Sequence, residues 1–393
     1  MAPHHLYLHI PFCRLVCAYC DFVTVGGRRD DIPRYVDALL AEMALRPAEG
    51  ELRTIYFGGG TPSLLPAGAV RRLVGAARDR WSSSIPVEEV TLEANPSARE
   101  RPDWAALRAA GVTRISLGVQ SLRDPELHAL ARGHAAQEGR DAYAAARHAG
   151  FDNVSIDLIY GIPGQSLDDW RDGLALALAL DPAPDHLSLY ALQLALAPDE
   201  WAAPPRRGAL SWRRRLEARQ DDGLAAEQYR FAEAALAEAG FHHYELSSWA
   251  RPGRESVHNG AYWLRRPYTG IGAGAHSYDG AARRSWNARD LDAYLASVEV
   301  GKRPLGGEEA LDDAARAFEA MALGLRRVRG LSRRAFSDEF GVDPLDRFGP
   351  PIEEAVSRGL LDVDAAEVRL SPQGRLLAND VLVGFAPDAV GSR

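Results

Sequence analysis

The chain contains three cysteines, and all of them lie in one short segment near the N-terminus, HIPFCRLVCAYCDF. Cys13, Cys17 and Cys20 therefore have no partner elsewhere in the sequence for a disulfide. Their C-x3-C-x2-C spacing is typical of metal ligands, and zinc sites and iron-sulfur clusters normally take four protein ligands. Three thiolates leave one coordination position open. The pattern predicts a reactive centre, a [4Fe-4S] cluster with one iron free to bind a small molecule.

A structural zinc site is the alternative to a cluster. It would need a fourth ligand close by, such as His9. Short zinc modules usually bring their ligands in two separated pairs, which is not the pattern here. Zinc also needs no aromatic residue such as Tyr19 between its last two cysteines. The spacing favours the cluster.

The bulk composition is that of a soluble globular protein, and the length alone favours at least two domains. The 393 residues are 46% hydrophobic and 25% charged, and no apolar run has the length of a membrane span. The N-terminal residues lack the features of a secretory signal. We expect a cytoplasmic protein, and that compartment keeps clustered thiols reduced.

Charge gives little reason to expect a nucleic-acid partner. The net charge is -8, and no segment combines Lys or Arg with interleaved aromatic residues. Two short basic runs, 206–207 and 213–215, are expected to be solvated surface, with peripheral contact to an anionic ligand or lipid headgroup as the alternative. The sequence does not distinguish a monomer from a homodimer.

The first two hundred residues alternate short apolar runs with amphipathic segments, which predicts parallel strands joined by helices. Predicted strands cover 6–10, 54–57, 89–93, 114–119, 155–159 and 186–191, and predicted helices cover 35–45, 69–80 and 168–180. Polar or glycine-rich segments follow the strands, among them GGGTP (58–62), EANP (93–96), GVQS (118–121) and YALQ (190–193). In parallel barrels such strand ends form one rim, where ligands bind. A shared ligand cavity is expected there.

The rest of the chain is expected to form a mixed extension and a C-terminal domain. A break at 198–215 precedes a long helix at 220–239 and a glycine-rich segment at 244–287. Residues 359–380 have a helix, hairpin and helix pattern, which predicts a winged-helix-like unit that serves as a lid or docking element. The predicted domains are 1–205, 206–300 and 301–393.

The N-terminal motif resembles that of radical SAM proteins. The residues that carry this resemblance are Tyr7, His9, Cys13, Cys17, Tyr19 and Cys20. It implies a partial (β/α)6 barrel in which S-adenosylmethionine (SAM) binds the open iron of a [4Fe-4S] cluster. In such proteins the cluster supplies one electron to SAM and generates a 5'-deoxyadenosyl radical. Whether this chain cleaves SAM stays open.

The resemblance also implies a set of SAM-binding residues at the barrel rim. The glycine loop would face the SAM amino group, Glu93 would accept hydrogen bonds from it or from the ribose, and Arg132 could pair with a carboxylate. Ala191 would contribute only its backbone. The whole set is Tyr7, Tyr19, Gly59, Gly60, Thr61, Glu93, Gln120, Arg132, Asp157 and Ala191. Each of these residues also has a structural interpretation, because barrel rims need buried polar networks.

A second motif, H-N-x-x-Y-W, narrows the resemblance to the haem chaperone branch of the coproporphyrinogen dehydrogenase-like family. It comprises His258, Asn259, Tyr262 and Trp263. Histidine is a common axial ligand of haem iron, and the two aromatic rings offer flat apolar faces to a porphyrin. The alternative is an aromatic packing cluster with a satisfied core histidine.

Neighbouring residues extend this second motif. Arg265 and Arg266 could neutralise haem propionates, and His276 is a weaker candidate for a second iron ligand. If the motif is helical, His258 and Tyr262 share one face.

The resemblance implies a haem chaperone that delivers haem to an acceptor haemoprotein. The alternative is the enzyme of the same family, an oxygen-independent coproporphyrinogen III oxidase. Those enzymes carry a further cysteine two residues after the third ligand, where this chain has Phe22. Decarboxylation of coproporphyrinogen is therefore not expected, and whether the chain is an enzyme stays open.

Overall fold

The centre of the fold is a run of six parallel strands in sequence order. The computed structural model describes residues 3–81, 85–100, 102–194 and 208–387. The strands are β1 (Pro3–Ile10), β2 (Glu51–Gly59), β3 (Glu89–Ala94), β4 (Arg114–Gln120), β5 (Val154–Tyr160) and β6 (His186–Ala191). Each pairs with the next in parallel. All six predicted strands are confirmed.

Helices cover the outer face of these strands. They are α1 (Ile32–Leu45), α2 (Ala67–Arg80), α3 (Trp104–Ala109), α4 (Asp124–Ala129), α5 (Ala136–His148) and α6 (Leu167–Leu178). In α1 the buried side chains Tyr35, Leu39 and Met43 recur every four residues and form one apolar stripe. Helix α6 begins with a reciprocal cap between Ser166 and Asp169. Apolar residues of strands and helices share one core.

The segment after β6 extends the same sheet at both edges. Helices α7 (Ala209–Glu217) and α8 (Asp222–Glu238) precede β7 (His242–Glu245) and β8 (Ser248–Ala250), and β8 pairs with β6. After α9 (Val257–Trp263), β9 (Tyr268–Ile271) pairs in parallel with β1. Strands β10 (His276–Tyr278), β11 (Arg283–Asn287) and β12 (Leu305–Ala310) continue from it, with α10 (Leu291–Glu299) before β12. The barrel and its extension thus share one sheet, and the domain limits at 205 and 300 stay predictions.

The C-terminal part has a core of its own. It comprises α11 (Asp313–Leu325), α12 (Arg333–Phe340), α13 (Pro344–Arg347), α14 (Gly349–Ser357), α15 (Pro372–Leu376) and α16 (Ala378–Val383). A small sheet contains β13 (Leu331–Ser332), β14 (Leu361–Val363) and β15 (Glu367–Leu370). The C-terminal core includes the buried side chains of Met321, Phe336, Phe348 and Phe385. The hairpin between helices agrees with the predicted winged-helix-like unit. No helix in the described ranges is long and apolar enough to cross a membrane.

Candidate cofactor and ligand cavities

The carboxyl ends of β1 to β6 surround a cavity of about 330 Å³, which we call the rim cavity. Parallel strands place their ends at one edge, so residues far apart in sequence meet there. All three cysteines line it, together with nine of the ten residues predicted to bind SAM. These are Cys13, Cys17, Cys20, Tyr19, Gly59, Gly60, Thr61, Glu93, Gln120, Arg132, Asp157 and Ala191. Tyr7 does not line this cavity.

The cysteine loop is held between two very short strands, Phe12–Cys13 and Val25–Gly26, which pair in parallel. Cys13 is buried, and the Thr61 hydroxyl lies 3.6 Å from its sulfur. Burial raises the pKa of the Cys13 thiol to about 12 and that of the Cys20 thiol to about 11. Binding a metal centre would therefore release protons. Over the described ranges, no three Cys, His, Asp or Glu side chains are grouped around a single metal-ion position.

Helix α7 anchors the cysteine loop through a buried arginine, Arg213. Arg213 is buried, donates from Nε to the Ala18 carbonyl at 2.9 Å and from Nη2 to Asp21 at 2.5 Å. The prediction of a solvated basic run at 213–215 was wrong for this residue, because an ion pair with the loop compensates its burial. Arg214 and Arg215 are exposed as predicted, and 206–207 lie outside the described residues.

The glycine loop after β2 lies directly against the cysteine loop. A Cβ added at Gly60 would come within 2.7 Å of the Pro11 carbonyl oxygen, and Gly59 has φ +113°. The Gly60 and Thr61 N–H groups donate at 2.8 Å to the carbonyls of Ile10 and Phe12. Only glycine permits this close approach of two backbones. The loop thus fixes the cysteine loop on the rim, a packing role beside the predicted contact with SAM.

Two carboxylates project into the rim cavity from β3 and β5. Glu93 accepts hydrogen bonds from the Tyr56 hydroxyl at 2.8 Å and from the Gly59 N–H at 3.0 Å. Burial, with Asp157 nearby, raises the pKa of Glu93 to about 7. Burial also raises the pKa of Asp157, which accepts from the Ser116 hydroxyl at 3.0 Å. A cationic ligand group in the cavity would favour the ionised form of both.

Arg132 spans the space between the cysteine loop and β4. Its Nη1 lies 3.1 Å from the Cys17 sulfur and its Nη2 donates to the Gly118 carbonyl at 2.9 Å. Gln120, at the end of β4, has φ +69°, which is uncommon outside glycine and costs about 1–3 kcal/mol. Such strain concentrates at ligand sites, which agrees with the position of Gln120 in the cavity wall.

Several residues of the rim cavity were not singled out from the sequence. Asn95, Tyr190 and Gln193 lie in segments that the sequence pattern places at strand ends, and this position could have identified them as cavity residues. Ser116 lies four residues before Gln120, on the same face of β4. Ile159 and Leu192 are apolar, so their residue types do not indicate contact with a ligand. Leu15 and Phe22 lie on the cysteine loop itself. Phe22 is 66% exposed at the cavity mouth.

A second cavity, of about 480 Å³, adjoins the first, and we call it the aromatic cavity. Phe22 lines both cavities, and Tyr7 lies in the wall of the second, next to Gly58. Its other aromatic residues and its arginines come from β1, from α9 and the loop after it, and from β9 to β11 and the loop after β11. They are Tyr7, Tyr262, Trp263, Tyr268, Tyr278, Arg265, Arg284 and Arg289. Its size is within the range of small-molecule sites.

Helix α9 carries the H-N-x-x-Y-W motif and places its members differently. Tyr262 and Trp263 line the aromatic cavity, whereas His258 is fully buried outside both cavities and Asn259 is partly buried. His258 Nδ1 lies 2.7 Å from the Thr54 hydroxyl, and its Nε2 lies 2.8 Å from the Tyr262 hydroxyl. The predicted common face of His258 and Tyr262 is therefore confirmed. Both ring nitrogens of His258 thus lie within hydrogen-bond distance of protein hydroxyl groups.

Several N–H donors of the aromatic cavity find no hydrogen-bond partner among the residues that the structure describes. They are Trp263 Nε1, Arg265 Nε and Arg284 Nε. Arg265 pairs with Glu339 through Nη1 and donates to the Tyr278 hydroxyl through Nη2, and Arg284 Nη2 pairs with Glu319. Buried donors without partners are costly, so their presence in one cavity wall indicates a polar or anionic ligand.

A buried ionic network supports the back of the aromatic cavity. Glu42 of α1 and Arg46, directly after the end of that helix, form an ion pair and are almost completely inaccessible to solvent. The Glu42 carboxylate also accepts hydrogen bonds from Gly272 N at 2.9 Å, Tyr294 OH at 2.8 Å and Asn287 Nδ2 at 2.8 Å. This network fixes the loop 272–275, which leads into β10 and the cavity wall.

Comparison with known proteins agrees with this architecture. The family model of the radical SAM superfamily matches residues 7–177, and that of the HemN C-terminal domain matches residues 311–377. Coproporphyrinogen III oxidase (HemN) from Escherichia coli has a similar fold, with a TM-score of 0.81 and 23% identity, covering 98% of this chain and 91% of that one.

Full-length relatives narrow the family further. Heme chaperone HemW of Mycobacterium tuberculosis is 37% identical, with 97% of this chain and 94% of that protein aligned. The Bacillus subtilis heme chaperone HemW is 31% identical over 96% and 98% of the two chains, and that of Escherichia coli is 32% identical over 98% of each.

The parallel barrel, its rim and the matching family model define a radical SAM protein. Similarity to the relatives over nearly the whole length then assigns the chain to one family within this superfamily. It belongs to the heme chaperone HemW family.

Proposed function

We propose that this protein binds haem and a SAM-liganded [4Fe-4S] cluster and delivers the haem to an acceptor haemoprotein. The observation that carries the proposal is the pair of adjoining cavities, one lined by three free cysteines and the other by aromatic and arginine side chains. The first has the donor set of a cluster with one open iron, and the second suits a flat anionic ligand.

In the rim cavity, Cys13, Cys17 and Cys20 would hold the cluster. When bound, the cluster and SAM supply one-electron chemistry. Arg132 would leave the Cys17 sulfur to pair with the SAM carboxylate, since a guanidinium matches a carboxylate in bidentate geometry. Glu93 would accept from the SAM amino or ribose groups, and the remaining rim residues would enclose the ligand. They are Tyr19, Gly59, Gly60, Thr61, Gln120, Asp157 and Ala191.

Haem would lie in the aromatic cavity, beside the H-N-x-x-Y-W motif. Tyr7, Tyr262 and Trp263 would supply ring faces. The sequence motif predicts His258 as an iron ligand, and coordination by His258 would require it to give up its hydrogen bond to Thr54 or Tyr262. Cytoplasmic location and an unidentified acceptor haemoprotein complete the proposal.

Haem binding and transfer test the proposal. Ferric haem titrated anaerobically into the cluster-reconstituted full chain should give a saturable Soret band at one haem per chain. Mixing the loaded protein with an apo b-type cytochrome should then transfer haem at a rate that increases with cytochrome concentration, because direct hand-over needs contact between the two proteins. A rate independent of cytochrome concentration would indicate simple release and contradict a chaperone. Sustained conversion of coproporphyrinogen to protoporphyrinogen by the reduced protein with SAM would favour the enzyme instead.

SAM affinity is expected to depend on pH through Glu93. With a folded-state pKa of about 7, this carboxyl is mostly neutral below that pH and ionised above it. If the anion is the form that accepts from SAM, raising the pH from about 6 to about 8 should strengthen binding about tenfold. Equilibrium dialysis with labelled SAM measures this change. Glu93→Gln should bind more weakly and lose most of the pH dependence, and an equally steep profile in the variant would contradict the assignment.

A further inference from the structure

Three histidines lie at or beside the aromatic cavity, and their environments differ. His9 lines the cavity but is only 5% exposed, with Nδ1 3.0 Å from the Tyr7 hydroxyl and Nε2 2.7 Å from the Val23 carbonyl. His258 is fully buried and does not line the cavity, with both ring nitrogens within hydrogen-bond distance of protein groups. His276 lines the cavity and is partly exposed.

The position of His276 is well defined by its strand. It is the first residue of β10, directly after the loop that the Glu42 network fixes, and its ring stacks on Trp286 of β11 at a centroid distance of 5.7 Å. A ring held in this way keeps its orientation towards a ligand, as preorganised metal ligands do. The imidazole therefore belongs to a rigid part of the cavity wall.

The charge of the same wall suits a dianionic ligand. Three arginines and one carboxylate, Asp21, line the cavity, and Asp21 pairs with Arg213 outside it. Two of the arginines also have carboxylate partners, Glu339 for Arg265 and Glu319 for Arg284, which do not line the cavity. Arg284 lies one strand away from His276 and retains an unpartnered Nε donor within the described structure. Arg289 contributes positive charge close to His276. Guanidinium groups pair well with carboxylates such as propionates.

We propose that His276 ligates the haem iron in the aromatic cavity and that Arg284 and Arg289 pair with the haem propionates. This inference rests on the proposed function and assigns its iron ligand. His258 is then a positioning residue: it holds the Tyr262 hydroxyl, and Glu89 holds it in turn by accepting from the backbone N–H groups of Val257 and His258.

The test compares iron ligation in histidine variants of the full-length, cluster-reconstituted protein. Ferric haem is titrated into the wild type, His276→Ala, His276→Phe, His258→Ala and the surface control His148→Ala. His276→Phe keeps an aromatic ring against Trp286, so it separates loss of a ligand from loss of packing. Soret titration gives the affinity, EPR and resonance Raman report histidine ligation, and circular dichroism checks folding.

Both His276 variants should bind haem at least about tenfold more weakly and lose the histidine signature. Added imidazole should restore that signature in His276→Ala. His258→Ala should keep it, with a smaller loss of affinity, and His148→Ala should match the wild type. Loss of the signature in His258→Ala but not in folded His276 variants would overturn the assignment. A wild type without a saturable Soret band would instead overturn the proposed function itself.

The propionate contacts have an independent test with a modified ligand. Haem dimethyl ester, which lacks the two negative charges, should bind the wild type about tenfold more weakly than haem does. Arg284→Gln and Arg289→Gln should reduce this difference, because each removes one partner of a propionate. An undiminished difference in both variants would overturn the arginine assignment.

Discussion

Replacing Cys13, Cys17 or Cys20 with serine is expected to leave the protein without a stable iron-sulfur cluster after anaerobic reconstitution. Each thiolate would be one of only three protein ligands, and the chain has no other cysteine to replace it. Iron and sulfide content should fall to background, and the broad visible absorption and the Mössbauer signal of a cluster should be lost. Metal analysis and Mössbauer spectroscopy on the same samples measure the effect.

The matched control is Thr61→Val, which changes the same cavity without removing a thiol. The Thr61 hydroxyl lies 3.6 Å from the Cys13 sulfur and is not one of the predicted iron ligands. Removing this hydroxyl should therefore leave the iron content near that of the wild type. Stoichiometric zinc in the wild type, with no iron after reconstitution, would establish the structural zinc alternative. A full cluster in any of the single serine variants would contradict the assignment of that cysteine.

The second large effect is expected on stability, from Glu42→Ala. Removing this carboxylate leaves Arg46 buried without its counter-ion and takes the acceptor from Gly272, Tyr294 and Asn287. Breaking a buried ion pair in this way costs about 3–5 kcal/mol. Denaturant unfolding followed by tryptophan fluorescence measures the loss. Haem binding should weaken as well, because loop 272–275 supports the aromatic cavity.

Asp37→Ala on the same helix is the control for this substitution. Asp37 is exposed and pairs with Arg72 at 2.7 Å, and exposed pairs of this kind contribute about 0–1 kcal/mol. The two variants should therefore differ by several-fold in their effect on the free energy of unfolding. A Glu42→Ala protein as stable as Asp37→Ala would show that the buried network contributes little.

Much of the rim cavity could be predicted from the sequence because parallel strands impose a simple geometry. Each strand is a local apolar run, and the polar residues that follow it must lie at the same edge of the sheet. Gly59, Glu93, Gln120, Asp157 and Ala191 come from five different strands, yet all of them line one cavity with the cysteines. Local pattern and topology together were sufficient for this site.

The aromatic cavity could not be predicted in the same way, because its walls depend on pairing between distant segments. Strand β9 adds to β1 across more than two hundred and fifty residues of sequence, as in the pairing of Tyr7 with Gly270, and this brings Tyr7 beside α9. No local periodicity specifies that pairing. The motif predicts His258 as a haem ligand and His276 as a weaker candidate, and only the fold shows that the ring of His258 is enclosed while His276 lines the cavity.

The sequence by itself determined the grouping of the three cysteines, the six parallel strands and the rim on which they converge, since each follows from residue types and spacing within a short segment. Only the tertiary structure decided which polar side chains are buried and which face a cavity. Arg213 is an example. It has the same residue type as the two exposed arginines that follow it, and it is buried because it pairs with Asp21, which is on a loop far away in the sequence. Burial and ion pairing depend on contacts that a linear pattern does not contain.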